Sequence, residues 1–374
     1  MLAILDESLP AQLESGGPCA EAVLTALTIC AQQVREGTHV LFADRSVYRR
    51  LRVFHSRLDN RSAAILARAE ERLPQLRQVR DFVERAIRII VLPQPAVVSR
   101  VTNGRRIEVL LPVTTIENQS SLLAPPLLLV ENLNDGSCYM KLAQSIVESG
   151  VLPDLTWLRS VPLKCETLPG GGHTLGALFA HQKVQSRHLG LAIADSDVRY
   201  PGAALGATAA ALVQAASALP VSPLLEHHVL DVRTIENCIP RVEVRSIARD
   251  LDPVQVYRFE RLEAIFSTSP FWKFVPIKAG VRCFELSQES AESTFWTTLL
   301  GGRTCSPVAQ CARKRDCSNY VIPPISDQVL VRSVGRQRLL TVTERCMDGL
   351  ADTWRRLVTL LYSLFCGSER VTVL

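Results

Sequence analysis

The sequence predicts an α/β protein built around a central parallel sheet. Three observations carry that expectation. Leu127–Val130 and Leu189–Ala194 are continuously apolar, helix-patterned segments separate them, and an acid stands directly after each run. Strands buried on both faces read as unbroken apolar runs, and strand–helix alternation is the pattern of a parallel sheet covered by helices. A chain of 374 residues is expected to hold two or three units, divided as 1–122, 123–245 and 246–374.

The first unit reads as helices followed by a hairpin. Ala20–Val34 carries apolar residues at helical spacing and Gly37 stops it. Asp44 or Ser46 caps a second helix through Leu58. Asn60 opens a third running toward Arg88, which Pro74 kinks or divides. Ile89–Leu92 is strand-like. Ala96–Thr102 and Arg105–Leu111 flank Asn103-Gly104, a pair suited to the positive φ angles of a type I′ turn, so a β-hairpin is expected. Ser120–Pro126 reads as a connector.

The second unit alternates regularly. Strand Leu127–Val130 leads to a helix from about Asp135 to Glu148. A strand candidate at Thr156–Cys165 is followed by Gly170-Gly171-Gly172 and a helix from His173 to about Lys183. Strand Leu189–Ala194, helix Ala203–Leu219 and strand His228–Val232 complete it. In the third unit, mixed and mostly helical, Pro253–Phe266 and Glu344–Phe365 read as helices. Trp272–Ile277 and Val281–Leu286 read as strands around Lys278-Ala279-Gly280.

Composition narrows the class. A hydrophobic content of 47% with 21% charged residues belongs to a folded protein. Met1–Pro10 has two acids and no leader pattern. Ala204–Leu219 and Leu357–Gly367 are shorter than the roughly 20 apolar residues of a membrane span, so a soluble cytoplasmic protein without a membrane role is expected. The eleven cysteines read as free thiols of a reducing compartment. Cys305, Cys311 and Cys317, with a fourth ligand such as Cys346, are either a zinc site or loop thiols. Arg313–Arg315 in the same segment either touches nucleic acid or is solvated surface. His173, His181, His188, His227 and His228 form no nucleophile–base pair. Between Arg45 and Arg106 stand fifteen Arg, no Lys and five acids, a net of +10. That stretch is either a phosphate-binding face or a surface that is solvated or meets an acidic partner.

Ligands of a parallel sheet bind outside the carboxyl ends of its strands, so the residues after each apolar run carry the chemistry. Glu131 follows the first, with Asp135 four residues on. Asp195-Ser196-Asp197 follows Leu191–Ala194, and Glu236 lies shortly after Val232. Acids gathered on one rim repel unless a cation neutralises them, and Mg²⁺ or Mn²⁺ suits carboxylate and water oxygens. In extended chain Asp195 and Asp197 point the same way and reach the same ion or ion pair. Asp135 is either a ligand or a helix cap.

The segment Leu128–Asp135, with Glu131 after a hydrophobic strand and Asp135 four residues later, resembles the first motif of the TOPRIM fold, a Rossmann-like module. Ile193–Asp197 resembles its Asp-x-Asp motif. Leu168–Thr174, with its three glycines, is similar to the turn that OLD-like nucleases place after the second strand. Asp231–Pro240 is similar to their Glu-Asn signature, and Lys278-Ala279-Gly280 to a Lys-Gly element. The likeness extends to TOPRIM effectors paired with ABC-type ATPases in anti-phage systems such as PARIS. It covers 125–240 and, more loosely, the chain to Gly280. Asn132 stands where that family usually has Gly. Tyr200 stands where the topoisomerase form expects Gly, which disfavours topoisomerase and primase activity.

The resemblance implies that Glu131, Asp195 and Asp197 position one or two Mg²⁺ or Mn²⁺ ions, with Glu236 completing the second and Asp135 a further ligand or a cap. Lys278 either neutralises the scissile phosphate or is a surface lysine, and Gly170–Gly172 either cradles a phosphate or simply turns the chain. The expected activity is a metal-dependent endonuclease acting on RNA, including tRNA, or on DNA. The resemblance further implies a toxic defence effector restrained by a partner such as an ABC-type ATPase, and a homo-oligomer is expected. The alternative is a non-catalytic regulatory subunit that binds an ATPase or nucleic acid through its Arg-rich N-terminal helices. A phosphotransferase or phosphatase lacks a nucleophile motif. No G-x-x-x-x-G-K-[ST] loop occurs, so any nucleotide-driven step belongs to another chain.

Overall fold

The computed structural model describes residues 1–92, 98–185, 188–218, 224–266, 270–286, 288–300, 317, 319–343 and 349–369. Two parallel-dominated sheets organise them. The first comprises β1 (Leu2–Leu5), β2 (Val40–Phe42), β3 (Arg85–Ile90), β4 (Ser99–Asn103) and β5 (Arg106–Pro112), in the order β2-β1-β3-β5-β4. Only the β4–β5 pair is antiparallel. The expected hairpin is therefore present, but Asn103 lies opposite Arg106 within the ladder, so the turn is Gly104-Arg105 with positive φ only at Gly104 (60°), not the Asn103-Gly104 type I′ turn expected. The strand expected at Ile89–Leu92 lies earlier, as β3, and the otherwise helical expectation beside the hairpin is corrected: β1, β2 and β3 turn the hairpin into the edge of an α/β sheet. Leu2–Leu5 is buried on both faces, as a central parallel strand must be. The third helix divides where proline required it, into Asn60–Glu71 and Leu73–Phe82, with Pro74 in the first turn of the second piece. Asp59, rather than Asn60, caps the first piece by accepting the N–H groups of Arg61 and Ser62 at 3.0 Å each.

The second sheet is wholly parallel: β7 (Glu166–Pro169), β6 (Leu127–Val130), β8 (Gly190–Ala194) and β9 (Leu225–Val229), in that spatial order. Helices Leu133–Ser149, Leu175–Gln185 and Ala207–Ala218 form the crossovers. The strand expected at Thr156–Cys165 lies later, as β7, and Pro153–Ser160 is 3₁₀ helix instead. The last strand lies three residues earlier than expected. A small core sits between β6, β8 and β9 and the Leu175–Gln185 and Ala207–Ala218 helices. The other face joins a large core continuous with the first sheet.

The C-terminal part folds back onto both sheets. Helix Ala351–Phe365 donates from Trp354 Nε1 to the Cys238 carbonyl (2.9 Å), and its Ser363 Oγ accepts the Glu84 N–H (2.9 Å). Two expected strands are corrected here. Pro270–Phe274 is a 3₁₀ turn, and only Val281–Arg282 (β10) pairs, antiparallel, with Tyr320–Ile322 (β11), while Cys283–Leu286 is helical. Residues 344–348, Cys305, Cys311, Cys346 and Arg313–Arg315 lie outside the described residues, and the zinc expectation with them. Among the described residues no helix is long and apolar enough to cross a membrane.

Candidate metal centre

The carboxyl ends of β6, β8 and β9 open on one side of the second sheet, and the sequence places an acid after each. Glu131 leaves β6 and is only partly exposed. Its backbone is pinned by the glycine turn after β7: Gly170 N–H bonds to the Val130 carbonyl (2.7 Å) and Gly171 N–H to the Glu131 carbonyl (3.0 Å). Two of the three glycine amides are thereby occupied, so this turn orients Glu131 rather than cradling a phosphate. Glu131 Oε1 is buried without a hydrogen-bond partner. Burial, with the like charges of Asp135 and Asp197, pushes the Glu131 carboxyl up to about 7.

Asp135 is buried on the first turn of helix Leu133–Ser149, and its Oδ2 accepts the Asn132 N–H at 2.9 Å. That is the capping-box role, and Asn132 supplies the extended N-cap backbone that the box requires. The same carboxyl is raised by burial and by Glu236, so it also contributes negative charge to the rim.

Asp195 and Asp197 differ in depth. Asp195 leaves β8, and its Oδ1 accepts the Ile235 N–H at 2.9 Å. Burial drives its carboxyl well above the usual range, and Glu236, Glu131 and Asp135 add to the rise. Asp197 has a φ of 52°, so the chain is not extended through the pair and the two side chains do not run parallel as expected. It is exposed at the lip of the rim, its N–H bonded to the Arg233 carbonyl (2.8 Å). Gly206 packs directly under it: a Cβ there would stand 2.4 Å from Asp197 Cβ.

Glu236 is fully buried in the Ile235–Cys238 turn, and Lys278 Nζ lies 2.7 Å from its Oε1. Its Oε2 has no hydrogen-bond partner. Lys278 is thus tied to the rim rather than lying as a detached surface lysine. Burial opposes its charge, but Glu236, Asp195 and Asp135 hold the ammonium above its ordinary value.

Asn237 is the residue whose role sequence reasoning missed. Its Nδ2 donates to the Trp272 and Val275 carbonyls, both at 2.9 Å, and its Oδ1 accepts from Thr234. This clasp fixes the segment that delivers Lys278. The following turn is closed by Gly280 (φ 66°), where a Cβ would stand 2.4 Å from the Ile322 carbonyl oxygen. Asn237 between the apolar residues Ile235, Cys238 and Ile239 was the available signal, since a buried amide needs several partners.

Among the described residues no three His, Cys, Asp or Glu side chains converge tightly enough to cage an ion by themselves. The donor set still fits a hard divalent cation that keeps part of its water shell, as Mg²⁺ does when held by one or two carboxylates. Two buried carboxylate oxygens, Glu131 Oε1 and Glu236 Oε2, have no hydrogen-bond partner among the described residues.

The Arg-rich stretch is largely consumed within the fold. Among the described residues, eight of its fifteen arginines form ion pairs, to Glu14, Glu21, Glu70, Asp6, Asp44, Asp81, Glu108 and Glu226. No protein-family model, curated protein or solved structure matches this chain.

Proposed function

We propose that Glu131, Asp195, Asp197 and Glu236 form the centre of a Mg²⁺- or Mn²⁺-dependent nuclease of the TOPRIM, OLD-like kind, hydrolysing phosphodiester bonds in RNA or DNA. The observation that carries this reading is the pair of buried, partnerless oxygens, Glu131 Oε1 and Glu236 Oε2, on a rim whose nearest counter-charge is Lys278. Carboxylates left in that state favour a cation. A bound divalent ion would lower the pKa of an attacking water and offset charge on the leaving oxygen.

One or two of Glu131, Asp195 and Glu236 would hold the ion, which would keep the rest of its water shell, with Asp197 at the lip. Lys278 adds a fixed positive charge for a phosphate oxygen. Asp135 and Asn237 position others: the first seats helix Leu133–Ser149 beneath Glu131, and the second holds the Lys278 segment. The roles of toxic defence effector and of ATPase-restrained subunit rest on the TOPRIM resemblance alone.

The test is cleavage of labelled single- and double-stranded RNA and DNA with Mg²⁺, Mn²⁺ or Ca²⁺. The wild-type protein is expected to cut with Mg²⁺ or Mn²⁺, and Glu131→Gln and Asp195→Asn to cut nothing. Metal-dependent cleavage that survives both substitutions would overturn the assignment.

A further inference from the structure

Beside the carboxylate rim lies a set of side chains that the metal chemistry does not use. Three segments meet there through backbone bonds. Asp197 N–H reaches the Arg233 carbonyl at 2.8 Å, and Arg233 N–H reaches the Lys273 carbonyl at 2.7 Å. The Arg233 guanidinium is half-buried, and among the described residues its one hydrogen bond goes to the Phe274 carbonyl at 3.5 Å. No carboxylate among the described residues is paired with it, so its remaining N–H donors are available to an anion. Two residues beyond Asp197, Arg199 is engaged with Glu292 at 3.2 Å.

Next to Arg199, Tyr200 joins a ring cluster. Its ring centroid lies 6.3 Å from that of Phe295, tilted by 34°, and Phe295 meets Phe271 edge-on at 5.3 Å. Phe274 and Trp296 in the same cluster are buried, as core aromatics are. Tyr200, Phe271 and Phe295 are only half-buried, and the Tyr200 hydroxyl makes no hydrogen bond among the described residues. A half-open ring with an idle hydroxyl differs from a core ring, and the joined segments also carry the Arg233 guanidinium and Lys273, whose ammonium lies 5.3 Å from the Phe274 ring centroid. It combines the two groups that hold a nucleotide without reading its sequence: a cation for the phosphate and a π-face for the base.

The geometry points to this patch as the seat for an unpaired nucleotide, with Arg233 on the phosphate and Tyr200, backed by Phe295, on the base. The inference rests on the nuclease reading and narrows its substrate to nucleic acid with unstacked bases. A duplex keeps its base faces stacked and offers a ring nothing to cover, whereas single strands and loops splay theirs out. Glu131, Asp195 and Glu236 would then act on the phosphodiester beside the seated base.

Binding in EDTA, read by fluorescence anisotropy, tests this independently of cleavage. The probes are fluorescein-labelled oligo(U), oligo(dT) and a blunt mixed-sequence DNA duplex. The single strands are expected to bind about tenfold or more tightly than the duplex, and the two single strands separate RNA from DNA. Tyr200→Ala is expected to weaken single-strand binding about tenfold, while Tyr200→Phe stays within about twofold of wild type. Arg233→Ala should lower the slope of log affinity against log salt by about 0.7, the value for one phosphate contact on a single strand. Equal thermal midpoints for wild type and Tyr200→Ala show that the fold is intact, and the Arg233→Ala salt slope with the single-strand-to-duplex ratio carries the test if Tyr200→Ala does not fold. Equal affinity for duplex and single strand, or a Tyr200→Ala effect below twofold in a folded protein, would overturn the seat. Binding as expected without cleavage in Mg²⁺ or Mn²⁺ would instead reject the nuclease reading and leave the seat standing.

Discussion

The two sheets of this protein treat buried acid in opposite ways. In the first, Glu108 on β5 is 1% exposed and has three donors: Arg88 Nε at 2.7 Å, Arg106 Nη1 at 3.4 Å and Asn103 Nδ2 at 3.4 Å. Asp6, just past β1, takes Arg88 Nη1 at 3.3 Å. In the second sheet Glu131, Asp195, Asp135 and Glu236 share Lys278, and two of their oxygens have no hydrogen-bond partner. Both sets stand on parallel strands, so the sheet rule by itself does not choose between them. Charge completion does. The first network is closed by guanidinium groups and is structural, while the second is left short of positive charge.

The largest difference should appear in activity. Glu131→Gln is expected to reduce metal-supported cleavage by on the order of a hundred- to a thousandfold in single-turnover assays, because it removes one charge from the ion's surroundings. Glu108→Gln, one sheet away, should leave the rate within about twofold. A comparable loss in both would dissolve the distinction.

Stability should reverse the ranking. Glu108→Ala leaves Arg88 and Arg106 without their shared carboxylate and is expected to cost about 3 kcal/mol in urea unfolding. Asn237→Ala removes two bonds to backbone carbonyls and should cost about 2 kcal/mol. It should also release Lys278, so that kcat falls even where the protein is fully folded. A fully active Asn237→Ala protein would show that the clasp does not position Lys278.

Much of this second sheet was legible because its strands are short apolar runs with acids behind them. Leu127–Val130 and Gly190–Ala194 fall within a residue of where the pattern puts them. Of the first sheet the hairpin and the end of β3 were legible, while β1, β2 and the start of β3 were hidden for physical reasons. β1 has four residues and β2 three, too few to display a period, and Arg85–Ile90 continues the spacing of the preceding helix until the turn after Phe82. The Arg-rich stretch was legible as charge but not as pairing, since several of its arginines answer acids distant in sequence, such as Glu14 and Glu226. At the rim, residue types were readable and depths were not. Nothing in Asp195-Ser196-Asp197 announces the left-handed backbone that exposes Asp197 while Asp195 stays inside.

The smallest expected effect is the one that reads the missing charge directly. Glu131 titrates at about 7 in the folded chain against 4.5 as the ordinary value. Between those limits the folded protein keeps a proton that the unfolded chain has released, so this group's contribution to stability falls as pH rises from about 4.5 to about 7 and is level above. Buried His39, pushed down to about 3 from 6.5, acts oppositely, because there the unfolded chain binds the extra proton. The useful quantity is therefore the difference between Glu131→Gln and wild type without divalent metal. It should be near zero at pH 4.5 and grow to about 1 kcal/mol in favour of the variant at pH 8, after discounting for partial exposure. Mg²⁺ should reduce or reverse that gap, since it binds the deprotonated wild-type rim and stabilises only the folded state. A gap that does not change with pH would mean that Glu131 is charged and satisfied like Glu108, and the contrast between the two sheets would be lost.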